Sequence, residues 1–368
     1  MFTKLSFKKY NYLLFILVTA VMFFGVYVIS FAKASLTNKQ LIGVLMAIVV
    51  MLVLSFIDYH FICKLYWVIY IVNIVMLLAV LLFGKEVNNA KRWFVVSDFL
   101  TVQPSELSKI LLIIFVAMYL CKKNDEEKLS TPFTVIKYLV FIGIPLLLIF
   151  RQPDLSTTLC ITFVLMTLYY ISGLSYKVIL IAVLILVPFA SVFIWYIQQP
   201  DQKLLYSHQV SRILSFIYPS EYGDAQQDNS VMAIGSGGLD GKAFSDSDAT
   251  TVTDSNLISE QQTDFIFSVV GEEFGFKGSV VLIAILLLIV LQCIRVSRRA
   301  RDMEGSLLAA GVGCLIGFQS FINIGVATSV LPNTGIPLPF ISYGLSSLLS
   351  VALGIGIVLN VSAQVKKF

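Results

Sequence analysis

Charge is what this chain of 368 residues most lacks: 13% is Asp, Glu, Lys or Arg, 58% is hydrophobic, and the mean hydropathy is +0.88. A water-soluble fold cannot cover that much apolar surface, so the solvent for most of the chain is lipid. Histidine is nearly absent, and His60 and His208 are too few and too separated to found a metal centre. The cysteines Cys63, Cys121, Cys160, Cys293 and Cys314 are odd in number, scattered and without ligand spacing. That excludes a disulfide framework and a zinc site. Strand-like alternation is also missing, so the spanning backbone satisfies its own hydrogen bonds as helices rather than as a barrel. The net charge of +4 comes in small basic clusters between apolar runs, which is a topology signal and not a nucleic-acid signature.

What the chain does have is a series of long apolar runs. They predict an all-α integral membrane protein, with residues 1–368 forming a single polytopic membrane domain. About ten transmembrane helices are expected near 10–32, 40–58, 65–84, 105–121, 138–151, 155–173, 177–197, 277–295, 305–328 and 341–362. The first run is longer than the roughly 7–15 residues of a secretory core, so it reads as an uncleaved span. More than half of the Lys and Arg fall on one side of this arrangement, including Lys122-Lys123, the arginines from Arg295 to Arg301, and Lys366-Lys367. Most acidic residues fall on the other. Both termini are therefore expected in the cytoplasm, with the chain crossing a bacterial cytoplasmic membrane several times. Residues 198–276 form one large extracellular loop between spans seven and eight, and Asp246–Ser255 is its expected flexible segment.

Polar residues gather where spans meet the outer face. Lys91-Arg92-Trp93 lies between spans three and four, and Gln103-Pro104-Ser105-Glu106-Leu107-Ser108-Lys109 opens span four with a proline suited to a first helical turn. Gln103, Glu106 and Lys109 share a face, either as a capped helix with a local ion pair or as a polar patch at the membrane surface. An ionisable residue a turn inside a span favours the patch, because burying it is costly. Arg151-Gln152-Pro153-Asp154-Leu155 is a second helix start, where Asp154 either caps the helix or helps frame an anion-binding N-terminus. The run Gly235-Ser236-Gly237-Gly238-Leu239-Asp240-Gly241-Lys242 invites comparison with a phosphate loop. The comparison fails, because Ser236 and Ala243 stand where that motif needs Gly and Ser or Thr. In Thr263-Asp264-Phe265-Ile266-Phe267, a helical reading puts Asp264, Ser268 and Gly271 on one face. Asp264 is then either a helix cap or a poorly solvated general base. Asn323 to Ser347, rich in Pro and Gly, is irregular backbone at membrane depth. It either lines a site or simply connects two spans.

Taken in order, Arg92-Trp93, Gln103-Pro104-Ser105-Glu106, Gln152-Pro153-Asp154-Leu155, Ala233-Ile234-Gly235-Ser236-Gly237-Gly238-Leu239, Thr263-Asp264-Phe265-Ile266-Phe267, Gly271-Glu272-Glu273 and Gly335-Ile336-Pro337-Leu338-Pro339-Phe340-Ile341-Ser342-Tyr343-Gly344 resemble the SEDS family of RodA, FtsW and their sporulation relatives. The Gly-Ile-Pro-Leu-Pro form is most similar to RodA, the elongation member. The resemblance covers almost the whole chain. It implies a ten-span peptidoglycan glycosyltransferase that polymerises lipid II on the outer face, paired with a single-pass class B penicillin-binding transpeptidase. The family's catalytic aspartate maps to Asp264 and its Arg-Trp tryptophan to Trp93. The chain departs from the pattern at Ser156 and Leu345, where the family usually has Gly, and at Gln262, where it often has His.

The chemistry so implied takes the undecaprenyl-diphosphate-linked glycan as donor and the GlcNAc 4-hydroxyl of lipid II as acceptor. Asp264 removes the hydroxyl proton as the diphosphate leaves. That leaving group calls for cations, for which Arg92, Lys109, Arg212 and Lys242 are the candidates. A divalent cation is the one cofactor candidate. Glu106, Asp154 and Ser342 complete the expected substrate-binding set. Two other functions suit the same composition: a flippase or transporter for a lipid-linked precursor, and a non-catalytic scaffold of an elongation or division complex.

Overall fold

A computed structural model describes residues 9–87, 90–95, 101–126, 128–178, 207–218, 223–243, 252–253 and 257–364, with isolated positions between 180 and 199 and at 255. Its helices are α1 (Tyr12–Ala32), α2 (Thr37–Phe56), the short α3 (Tyr59–Lys64), α4 (Tyr66–Phe83), α5 (Pro104–Asp125), α6 (Pro132–Arg151), α7 (Leu155–Ile171), α8 (Ser207–Ile217), α9 (Ala225–Ser236), α10 (Ile266–Arg299), α11 (Met303–Ala327) and α12 (Leu345–Ala363). Eight of these are long and apolar enough to cross a membrane, and α7 is a shorter apolar helix. The expected spans match these helices within a few residues. The exceptions are the fifth, which starts at Pro132 rather than near 138 and is a full 20 residues long, and the eighth, whose helix α10 starts at Ile266 rather than near 277, so that residues 266–276 of the expected extracellular loop are helical. The expected seventh span, 177–197, lies largely outside the described residues, as does the Asp246–Ser255 segment.

The purely helical expectation needs one addition. Between α4 and α5 a small antiparallel sheet forms from β1 (Lys85–Val87), β2 (Ala90–Val95) and β3 (Thr101–Val102). Trp93 pairs with Lys85, and Phe94 with Val102. Its β-branched and aromatic residues suit a short pleated ribbon.

Helices α5 and α12 are the centre of the bundle, with 83% and 78% of their apolar stretches buried, whereas α4 and α6 bury 28% each and turn broad apolar faces outward. Glycines let the central helices approach closely, as in membrane bundles generally. Gly354 of α12 lies against Ile110 and Val312, and Gly311 of α11 against Ile113 and Leu168.

Helix α10 is broken, and the break explains the glycine-rich run. At Gly275 the backbone is left-handed (φ 63°), a conformation that favours glycine. In an unbroken helix the Phe276 and Lys277 amides would bond the carbonyls of Glu272 and Glu273. Instead they donate to Gly238 O (2.9 Å) and Leu239 O (3.2 Å). The stranded carbonyls of Glu272 and Glu273 accept from the Lys242 (3.0 Å) and Ala243 (2.9 Å) amides. The run Gly235–Lys242 is thus a backbone partner for a helix break. Docking this close leaves no room for a side chain: a Cβ on Gly237 would sit 2.0 Å from Gly271 O. We expect Gly237→Ala to lose about 1–3 kcal/mol through overpacking of main chain on main chain. An unchanged melting temperature in detergent would refute that docking.

The bundle has two polar ends. At the end opposite Asp264, Asp58 caps α3 and accepts from the His60 amide (3.1 Å). The His60 ring bridges Asp58 Oδ1 and Asp302 Oδ2, both at 2.9 Å. Tyr59 Oη donates to Asp302 (2.8 Å), and the Tyr59 amide donates to Asn360 Oδ1 (3.0 Å). Burial works against the charged imidazole, but hydrogen bonds to the two carboxylates outweigh it and raise the His60 pKa above its usual value. Burial likewise opposes the Asp58 carboxylate, yet its bonds to His60 and Gln364 lower its pKa. A raised histidine contributes stability that is complete below about pH 6.5 and is lost as pH rises through the folded value. The lowered Asp58 contributes above about pH 3.9 and loses its share only in acid. Melting temperature is therefore expected to fall from pH 6 to pH 9, and His60→Gln to flatten that slope.

Candidate active site

Asp264 sits at the other end, in a turn immediately before α10. The helix begins at Ile266 with Phe265 as its N-cap and no side-chain cap bond. Asp264 therefore precedes the helix, and the expected shared face with Ser268 and Gly271 does not form. Its side chain is half-buried among Phe265, Ile266 and Phe267, which are all buried.

The turn is held on every side through its main chain. The Thr263 and Asp264 amides donate to Glu260 O (3.0 and 3.2 Å). Three successive carbonyls then accept from the far end of the chain. Gln262 O takes the Tyr343 amide (2.8 Å), Thr263 O takes Ser342 Oγ (2.6 Å), and Asp264 O takes Asn323 Nδ2 (2.8 Å). Gln261 Nε2 reaches Ala32 O of α1 (2.8 Å) and Thr253 O (3.2 Å). Glu260 (φ 60°) and Phe340 (φ 69°) are left-handed without being glycine. Such conformations cost on the order of 1–3 kcal/mol and persist only where the surroundings over-determine them.

The segment 328–344 between α11 and α12 is the hub of this end. Besides gripping the Asp264 turn, it accepts Ser156 Oγ of α7 at Thr334 O. Just beyond it, Ser346 of α12 donates to Thr101 O (2.9 Å) and accepts the Gln103 amide (3.0 Å). Helix α9 closes the end of α11, with Gln227 donating to Val326 O and Leu331 O and Ser230 donating to Ala327 O. Val326 and Ala327 belong to the last turn of α11, whose carbonyls have no partner within the helix, and Leu331 to the segment that follows it. The stretch expected to be irregular from Asn323 onward is so only after Ala327, and its first residues, including Asn323, are still helical.

The two helix starts beside the hub are built from side chains singled out in the sequence. Pro104 opens α5. Lys109 Nζ lies 2.7 Å from both carboxylate oxygens of Glu106, and the two residues are 2% and 4% exposed. The local-pair reading is therefore correct for these two, and the pair is buried rather than displayed. Asp154 caps α7, accepting the Thr157 amide (3.1 Å), and also takes Gln103 Nε2 and Ser105 Oγ at 3.3 Å each. Helix α7 starts at Leu155, so Pro153 lies outside it. Arg92 Nε donates to Gln152 O (2.7 Å), and its guanidinium also bonds Pro153 O. Trp93 is half-buried in β2.

Lys242 is engaged elsewhere. Its Nζ lies 2.7 Å from Oε1 of Glu272, which is fully buried. The same carboxylate accepts the Val252 (2.7 Å) and Thr253 (3.0 Å) amides, Thr253 Oγ1 (2.6 Å) and Ser236 Oγ (3.3 Å). Charged hydrogen bonds of this number repay part of the desolvation of a buried carboxylate. Arg212 belongs to α8, and its side chain lies outside the described residues. Among the described residues no group of three or more His, Cys, Asp or Glu could hold a metal ion.

Sequence reasoning gave neither Asn323 nor Glu272 a part of its own here, although both stand in stretches it singled out. A lone Asn inside an apolar helix was the available signal for the first. Glu272 stands in the quoted Gly271-Glu272-Glu273 motif, but its role was hidden because all its partners are 19 or more residues away. The departures from the family pattern are accommodated. Ser156 bonds Thr334 O, Gln262 Nε2 bonds Glu260 (3.0 Å), and Leu345 begins α12.

Comparison with known proteins agrees with this architecture. The sequence profile of the FtsW, RodA and SpoVE family, described as cell cycle protein, matches residues 6–367. A probable peptidoglycan glycosyltransferase FtsW of Geobacter metallireducens is 33% identical, over 98% of this chain and 96% of its own. The peptidoglycan glycosyltransferase MrdB of Escherichia coli K12 is 32% identical, over 81% of this chain and 78% of its own. Among solved structures, a chain of a peptidoglycan synthase complex superposes with TM-score 0.80 at 26% identity, covering 96% of this chain and 97% of that one. The rod shape determining protein RodA of Thermus thermophilus superposes with TM-score 0.70 at 24% identity, covering 98% of each chain. The chain is a helical membrane protein that belongs to the FtsW, RodA and SpoVE family of cell cycle proteins.

Proposed function

We propose that the chain is a peptidoglycan glycosyltransferase that polymerises lipid II during cell elongation. Its Asp264 end faces outward from the bacterial cytoplasmic membrane, and its termini lie in the cytoplasm. The observation that carries this reading is the Asp264 turn: a half-buried carboxylate on a backbone fixed by three successive carbonyl bonds, next in the chain to the buried Phe265 and Phe267. A base held in one place lowers the entropic cost of meeting the acceptor hydroxyl.

The steps follow from that placement. The 4-hydroxyl of an incoming lipid II attacks the anomeric carbon of the growing glycan. Asp264 accepts the hydroxyl proton, and undecaprenyl diphosphate departs with inversion. Of the described candidates for the leaving charge, Arg92 has carbonyl partners, whereas Lys109 and Lys242 are each neutralised by a carboxylate. Arg92, with Trp93 beside it in β2, is thus the first candidate for the diphosphate, and Arg212 joins it by sequence. Glu106, Lys109, Asp154, Lys242 and Ser342 then act mainly by holding the walls of the site. A class B penicillin-binding protein is the proposed partner, and the relationship to a synthase complex supports it.

A flippase would also use buried polar groups, but it has no need of a rigidly held carboxylate. The separating experiment reconstitutes the purified protein with its partner in vesicles and follows lipid II translocation and glycan chain length together. Polymer without accelerated translocation is expected. Translocation with no polymer would overturn the assignment.

A further inference from the structure

We propose that Asn323 is the positioning residue of the reaction, setting where the Asp264 carboxylate points by holding its carbonyl; this rests on Asp264 being the base. The side chain of Asn323 is 1% exposed and lies in α11, four residues before the helix ends at Ala327. Its Nδ2 donates twice, to Asp264 O and to Ile336 O, each at 2.8 Å. One amide therefore ties the Asp264 turn to the hub segment and both to a membrane helix. Among the described residues its Oδ1 has no hydrogen-bond partner. Leaving a buried amide oxygen unpaired costs free energy, so the site is better explained by what the two N–H bonds hold than by a fully satisfied core.

The geometry assigns the work to this side chain more than to its neighbours. Ser342 and the Tyr343 amide hold Thr263 and Gln262, one and two residues away, while Asn323 grips the carbonyl of Asp264 itself. That carbonyl is joined to the Asp264 Cα. A shift of its peptide therefore rotates the carboxylate directly, and a misplacement near 1 Å can cost about 100-fold in rate. Substrate contacts made by other walls would be untouched. Loss of Asn323 should accordingly appear in kcat and not in KM.

The test measures lipid II polymerisation by the full-length protein with its partner, for Asn323→Ala, Asp264→Asn and the double variant, with melting temperature in detergent as the fold control. Asn323→Ala is expected to lower kcat by about 10- to 100-fold while KM for lipid II stays within about threefold. In the Asp264→Asn background the same change should leave the residual rate unaltered, because a residue that acts through Asp264 has nothing further to act on. A purely structural role would lower both rates alike. Should the alanine variant fail to fold, Asn323→Asp keeps the volume and replaces the donor with an acceptor; a folded Asn323→Asp should lose kcat at least as far. Wild-type kcat in either folded variant, or an equal further loss in the Asp264→Asn background, overturns the positioning role. Wild-type activity of Asp264→Asn instead removes the base on which the proposal rests.

Discussion

Glu106→Ala is expected to lose about 3–5 kcal/mol of stability, because it strands the Lys109 ammonium in the bundle interior. The pair joins two residues of one helix, with Nζ 2.7 Å from both oxygens and both side chains almost completely buried. An exposed pair at the same spacing would contribute about 0–1 kcal/mol. The difference comes from desolvation, which the broken pair no longer offsets. Ser350 Oγ also donates to Glu106 O (2.6 Å), so the same turn of α5 anchors α12. Lys109→Ala should do comparable harm by leaving the carboxylate alone. Replacing both together, as Glu106→Gln with Lys109→Met, should restore most of the loss, since no bare charge remains. The check is a melting series in detergent. Wild-type melting of Glu106→Ala would mean that the pair is not buried as described.

Asp264→Asn should lower polymerisation by about 10²- to 10⁴-fold, the span typical of removing a general base. Asparagine has the same shape, and the turn is fixed through main-chain groups, namely the Asp264 amide to Glu260 O and Asn323 Nδ2 to Asp264 O. The variant should therefore melt like the parent and still bind lipid II. Kinetic analysis should find the change in kcat with KM little moved. A parallel loss of binding would instead mark Asp264 as a substrate contact.

Most of the helices were legible in the sequence because a twenty-residue apolar run has few alternatives in lipid. The helix starts at Pro104 and Asp154 were legible for a local reason: proline and a capping carboxylate act within one turn. The break in α10 was not. The expected span starts only at 277, just past Gly275, so the helical turns before the break are missing from it, and the residues that complete the broken bonds, Gly238, Leu239, Lys242 and Ala243, come from thirty or more positions upstream. The site divides along the same line. Asp264 was found through a motif, but its placement before the helix depends on Ser342, Tyr343 and Asn323, which the chain brings back after two membrane crossings. Lys242 and Arg92 read as display cations because the partners that occupy them, Glu272 and the Gln152 and Pro153 carbonyls, are distant in sequence.

Glycan synthesis with Asp264 as the base is the proposal on which the kinetic expectations rest. Its most direct test is the length distribution of glycan made from labelled lipid II by purified protein and partner, run for wild type and Asp264→Asn side by side. Long strands are expected from wild type, and from Asp264→Asn only the trace of product left by a rate about 10²- to 10⁴-fold lower. Strands of equal length and yield from both would contradict it.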